Sequence, residues 1–261
     1  MSWTTGLESI SLEELNENAE LLTRTDRKYV IDADLAQHLL PELSAGCQVL
    51  EIDGKHGSDY SSVYFDDPHR TSYLSAAHKR RRRFKIRTRS YLDSNLCFLE
   101  VKTEGAREQT VKERIEQPFA DRFTLTARGL EYIGQRLAHG LGELPIQLEK
   151  LQPVLESSYR RTTLFHPGSS SRVTVDEQLA WSCPATSRTL NCAQIVLETK
   201  AALNAGPVDK MLWRAGIRPT RISKFATGLS LLHPQLPANR WHHTVSRKLD
   251  VFPAPNQELI P

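Results

Sequence analysis

The four cysteines (Cys47, Cys97, Cys183 and Cys192) form no Cys-x-x-Cys pair, and no two histidines stand at zinc-ligand spacing. That excludes a zinc site of the usual sequence pattern and leaves free thiols in a reducing compartment as the expectation. No apolar run approaches the roughly 18 residues of a membrane-spanning helix. Near the N-terminus stand Glu8, Glu13, Glu14 and Glu17, where a secretory leader would carry basic and then apolar residues, so a soluble cytoplasmic protein is expected. Net charge is scarce too, only +3 over 261 residues, which speaks against a nucleic-acid coat protein. No internal repeat is evident.

Against that even background one stretch stands out. From Lys79 to Tyr91 eight basic side chains fall in thirteen residues without an acid. Four consecutive basics, Arg80 to Arg83, cannot share one strand face, so part of the run is read as a solvated extension or turn. Only Phe84 and Tyr91 are near enough to stack on bases, too few for a nucleic-acid arm. Further on, Lys85, Arg87 and Arg89 alternate with Phe84, Ile86, Thr88 and Ser90, and alternation is the period of a strand.

The same split recurs along the chain. Leu99 and Val101 oppose Glu100, Lys102 and Glu104; Val111 and Ile115 oppose Lys112 and Arg114; Val173 and Val175 oppose Arg172, Thr174 and Asp176; Ile195 and Leu197 oppose Glu198 and Lys200. A half-solvated antiparallel sheet is the common source of such alternation. The other source is a closed barrel that packs its apolar faces outward on helices and keeps a charged lumen. Solvated faces use Ser, Thr, Gln and Asn freely, whereas these faces repeat charge. Converging cations repel at reduced dielectric, so such a lumen needs a polyanion or interleaved carboxylates. Arg forks and Lys ammoniums both suit phosphate oxygens.

Helices are expected after the capping box of Ser11 and Glu14, with Leu12, Leu15, Ala19 and Leu22 in phase, from Asp34 to about Pro41, over 124–138, and at Pro207. Residues 48–116 read mostly as strands, as do 27–31, 153–165, 171–180 and 192–200. After Leu232 come five prolines, and 234–261 reads as a tail or a loosely packed strap.

Nine short motifs in order, "RTDRKYVID" (24–32), "SVYFDDPHRTSYLSA" (62–76), "KIRTRSY" (85–91), "LEVK" (99–102), "VKER" (111–114), "SYRRTTLF" (158–165), "RVTVD" (172–176), "VLETK" (196–200) and "SKFATG" (223–228), resemble the VTC-type polyphosphate polymerase domain of the triphosphate tunnel metalloenzyme (CYTH-like) superfamily. The resemblance implies an α+β fold, a closed antiparallel β-barrel of about eight strands forming a charged tunnel, with helices packed outside. It divides the chain into an N-terminal helix on the barrel (1–20), the tunnel domain (21–232) and a Pro-rich C-terminal tail (233–261). It implies metal-dependent phosphoryl transfer, polyphosphate synthesis from the γ-phosphate of ATP, with a triphosphatase or a non-catalytic polyphosphate sensor as alternatives. Lys28, Arg87, Arg89, Lys102, Lys112, Tyr159, Arg161, Arg172, Lys200 and Lys224 would bind phosphate. Arg87, Arg89, Lys200 and Glu198 would serve catalysis, and Glu198, helped by Glu100 or Asp176, would hold Mn²⁺ or Mg²⁺. ATP or another triphosphate and polyphosphate are the implied partners; nucleic acid is not expected, a membrane-protein partner is permitted, and the oligomeric state is left open. The paired glutamates of a Glu-x-Glu-x-Lys opening strand are absent before Lys28. Thr199 stands where the family has an aliphatic residue, and by parity it faces away from the lumen.

Overall fold

The computed structural model of the chain describes residues 2–18, 25–104 and 110–255. Ala19, Leu22 and Arg24, which the sequence reading used, lie outside them. In chain order the elements are β1 (Glu8–Ile10), α1 (Leu12–Asn18), β2 (Thr25–Ile31), α2 (Ala33–Leu43), β3 (Gln48–Leu50), β4 (Gly57–Asp66) and α3 (Thr71–Ala77). There follow β5 (Arg83–Tyr91), β6 (Leu96–Glu104), β7 (Thr110–Gln117), α4 (Ala127–Leu141), β8 (Gln152–His166) and β9 (Ser171–Ser182). The chain continues with β10 (Thr189–Cys192), β11 (Ile195–Ala201), α5 (Pro207–Arg214), α6 (Lys224–Leu232), α7 (His242–Arg247) and β12 (Val251–Pro253).

Alternation sets the sheet. In β5, Phe84, Ile86, Thr88 and Ser90 are buried while Lys85, Arg87 and Arg89 are not. The apolar side packs outward on α4, whose Ile133, Leu137 and Leu141 form one core with Val63, Phe84, Ile86, Leu99 and Val101. Thr126 caps the start of α4 by accepting from the Gly129 amide, and Gly142 ends the helix in the left-handed region at φ 76°. A second outward core joins β2, β9 and β11 to α2 and α5.

Eight strands run in one antiparallel path, β7-β6-β5-β4-β8-β9-β11-β2. The far edge of β9 is shared: residues 172–176 pair with β11 and 180–182 with β10, which β12 extends. Among the described residues the expected closure into a barrel does not occur, because β2 and β7 do not pair. The outer edge of β2 instead receives the Thr220 amide on the Lys28 carbonyl at 2.7 Å. Most of β7 stays exposed, with only Gln117 buried: Ile115 packs against the α4 core while Val111 lies in solvent. The result is a curled trough with a seam.

Two helices interrupt what the sequence presents as strand or loop. Asp66 and Asp67 bind the first amides of α3, those of Ser72, Tyr73 and Thr71, at 2.8–2.9 Å, and so start a helix inside a stretch read as strands. Gln178 takes φ 54°, and Leu179 and Trp181 then turn to the inner side, where they pack with Phe225 and Leu229 of α6. Gly228 lies so close against Trp181 that a Cβ there would overlap the indole. The segment read as a tail or strap carries α7 and β12 and buries Trp241 to 4% exposure. All four cysteines are buried free thiols, and no helix among the described residues is long and apolar enough to cross a membrane.

Candidate functional site

Register brings the charged faces together on the inner side of the trough. Directly opposed cross-strand residues share a face, and ion pairs between such residues build the site: Arg87 with Glu100, Arg161 with Asp176, and Lys28 with Glu198, with Arg83 and Glu104 paired in the same way at the start of β5.

The first pair belongs to β5 and β6. Arg87 donates from Nε and Nη2 to Glu100 Oε2 at 2.8 and 2.6 Å, and Lys112 of β7 reaches Glu100 Oε1 at 2.8 Å. Burial pushes the Glu100 carboxyl upward, but Arg87, Arg89 and Lys112 outweigh it and hold the group well below the usual carboxylate range. Glu100 is therefore a fixed anion that orients two cations.

The second pair is a fork. Arg161 donates Nε and Nη2 to the two oxygens of Asp176 at 2.6 and 2.8 Å, and Lys224, first residue of α6, binds the same carboxylate. Tyr159 lies beneath both cations, its ring 4.4 Å from Lys224 Nζ and 5.2 Å from the Arg161 guanidinium. Arg89 donates to the Tyr159 hydroxyl at 3.2 Å and is engaged with hydroxyls and the Tyr60 ring in place of a carboxylate. Burial raises the Tyr159 phenol, yet Arg89, Arg161 and Lys224 together bring it below its ordinary value.

The third pair is looser. Glu198 sits 3.3 Å from Lys28 and 3.4 Å from Lys200. Burial acts upward on it, and Lys28, Lys200, Arg161 and Lys224 pull it down to about 2. Thr199 points away as parity requires, donating to Asp209 Oδ1 at 2.6 Å. Asp209 also accepts from Tyr29 and from the Gly206 amide, a buried support behind β2 and β11 that the sequence reading passed over. Its signal was the Pro207 start of α5 with an acid two residues on.

Lys85 is the other residue given no role from sequence, although it shares parity with Arg87 and Arg89. Its ammonium donates to Ser223 Oγ at 3.0 Å and stands 5.7 Å from the Phe225 ring. Burial, followed by Lys102, Arg87 and Lys28, pushes it down to about 7. Lys102, opposite Lys85 in register, is likewise lowered by burial and by Lys28. Arg172 shares the inner face but turns to α1, donating to the Leu15 carbonyl at 3.3 Å and to Asn16 at 3.4 Å. Arg114 lies over Phe98, and His78 and Arg80 to Arg82 are exposed, with Arg82 3.2 Å from Glu143.

The carboxylates expected to share a metal do not gather. Among the described residues no three Asp, Glu, His or Cys side chains form a cluster that could hold an ion. Glu100 and Asp176, with side chains 3% and 1% exposed, are each taken up by two cations and do not fit as metal ligands. Glu198, 15% exposed and more loosely paired, fits the single carboxylate that a phosphate-bound divalent ion accepts.

The VTC domain family model matches residues 23–233. Among solved structures, a candidate adenylate cyclase from Bacillus halodurans is 10% identical, with 77% of this chain and 94% of that one covered and a TM-score of 0.46. A Pyrococcus horikoshii protein is 12% identical over 81% and 99% of the two chains, with a TM-score of 0.45. A candidate adenylyl cyclase from Hippeastrum, described as having a dominant triphosphatase activity, is 13% identical over 82% and 98%, also at 0.45. No curated protein matches the sequence.

Proposed function

The chain belongs to the VTC domain family, and from that membership and the trough we propose that it transfers phosphoryl groups on a polyphosphate chain, making polyphosphate from the γ-phosphate of ATP. One observation carries the reading. Lys85 stands opposite Lys102 in register and shares the inner face with Arg87 and Lys28, yet among the described residues it binds only a hydroxyl and an aromatic ring; burial first, and then these cations, lower its ammonium to about 7. Two unit charges about 4 Å apart at a protein surface repel by about 4 kcal/mol, and a phosphate chain is the ligand that turns this cost into binding.

In the reaction, Arg87, Arg89, Arg161 and Lys224 grip phosphate oxygens from opposite walls. Glu100 and Asp176 hold the Arg87 and Arg161 forks so that their N–H groups are aimed before substrate arrives. A terminal oxygen of the acceptor chain attacks the γ-phosphorus in line, the bond to the β,γ-bridging oxygen breaks, and ADP leaves. That acceptor oxygen is already ionised, so no general base is needed and alignment supplies most of the rate. Glu198 would hold a Mn²⁺ or Mg²⁺ ion, which would supply positive charge to stabilise the transferring phosphoryl group.

The test is incubation with ATP and either metal beside an Arg89→Ala control. Arg89 is the suitable wall residue because no carboxylate holds it, so its loss strands no buried charge. Polyphosphate that disappears in the control supports the assignment. Orthophosphate as the sole product moves it to triphosphatase, and absence of turnover with tight polyphosphate binding leaves a sensor.

A further inference from the structure

Beside the seam, β2, the first residues of β5, the last residues of β6 and the segment before α6 line a cavity of about 510 Å³, inside the range of about 300–1,000 Å³ for small-ligand pockets. Lys85 and Lys102 line its inner side and belong also to the trough. Its rim carries three arginines from distant parts of the chain: Arg83 from β5, Arg221 from the link between α5 and α6, and Arg240 beside Trp241. Arg83 is tied to Glu104, Arg240 donates to the Ala76 carbonyl at 2.9 Å, and Arg221 is exposed. Burial, with Arg83 and Arg221 nearby, lowers the Arg240 guanidinium. The cations that crowd this opening outnumber its acids, Asp26 and Glu104, and nothing in the transfer reaction assigned to the trough uses the rim.

We infer that this cavity holds the distal phosphates of a linear polyphosphate longer than a triphosphate, with Arg221 and Arg240 setting the preference for long chains. The inference rests on the phosphate-transfer reading of the trough and adds a second, length-sensing site to it. Short substrates fill the trough as far as Lys85 and Lys102, whereas a long chain runs on past them to the arginine rim. Seating it there neutralises like charges that the seam otherwise holds together at a cost.

The experiment compares calorimetric binding of tripolyphosphate and of long-chain polyphosphate to the full chain and to two separate variants, Arg221→Glu and Arg240→Gln. Arg221→Glu alters an exposed side chain, and a superimposable thermal melt shows that the fold is intact. Expected is a loss of about tenfold or more for long-chain polyphosphate, the scale of one charge-assisted contact, with less than about twofold for tripolyphosphate. The salt dependence of long-chain binding should also become shallower, because fewer counterions are released. Equal losses for both ligands, or no loss for either, overturn the inference. So does single-stranded RNA of matched charge that binds as tightly and responds to the same variants. A wild-type protein that binds neither phosphate ligand would instead overturn the reading of the trough itself.

Discussion

Replacing Asp176 with asparagine removes one charge and almost no volume from the centre of the trough. Asp176 is 1% exposed, and its two oxygens hold Arg161 at 2.6 and 2.8 Å and also bind Lys224. In the variant those cations face each other over Tyr159 without a counter-ion. Removing one partner of a buried pair costs about 3–5 kcal/mol; both cations are 14% exposed, so partial solvent screening places the expected loss near 3 kcal/mol. For a chain of this size that is a fall in Tm of about 6–12 °C. A bound phosphate chain supplies the missing oxygens, and a ligand at one hundred times its Kd adds about 2.7 kcal/mol to the state it binds. The stranded cations of the variant should bind tripolyphosphate more tightly than the paired ones do, so saturating ligand should close more than half of the Tm gap. Thermal melts of both proteins with and without tripolyphosphate measure this. A gap of the same size in both conditions would show that Arg161 and Lys224 serve only the fold.

The depressed Lys85 gives a pH signature: its cost to the fold is full below pH 7 and is relieved as the pH rises toward the unfolded value near 10, so stability from this group increases over that window. A polyanion reverses the depression, so near pH 8 tripolyphosphate binding takes up a proton and affinity falls by up to about tenfold per pH unit above it; calorimetry in two buffers should show this uptake, and its persistence in Lys85→Met would refute the assignment. Glu198→Gln frees Lys28 and Lys200, so tripolyphosphate should bind at least as tightly while metal-dependent turnover from ATP is lost; full turnover in that variant excludes Glu198 as the metal carboxylate. Gly228→Ala drives a methyl group into Trp181 and should lower stability by about 1–3 kcal/mol, read as several degrees in Tm, whereas an unchanged melt would mean that α6 is not seated on that ring.

The wall of the trough was legible because strand parity is a local property. Lys85, Arg87 and Arg89 alternate with a buried set in the sequence and do so in the fold. The seam was not legible, since closure depends on whether the edges of β2 and β7, far apart in sequence, meet in space. α3 was hidden for a different reason. Its start is held by Asp66 and Asp67, and Thr71, Ser72 and Tyr73 read equally well as strand residues until those caps are seen. α6 carries a cap in Ser223, but Gly228 looks like a helix breaker until Trp181 is found against it.

The roles of the carboxylates turned on register. Sequence puts Glu100, Asp176 and Glu198 on charged faces, and from there each could equally address a metal ion or an arginine. Pairing decides: Glu100 falls opposite Arg87, Asp176 opposite Arg161 and Glu198 opposite Lys28, and a two-residue slip would give each a different partner. Counter-ions placed this way let a strongly cationic trough fold before any ligand arrives, because each acid cancels repulsion that would otherwise oppose curling of the sheet. They also divide the labour of the site. Glu100 and Asp176, nearly inaccessible and doubly paired, keep their arginines aimed when phosphate binds. Glu198, further from its lysines and more exposed, is the one acid that can release them to a phosphate chain and turn to an arriving cation.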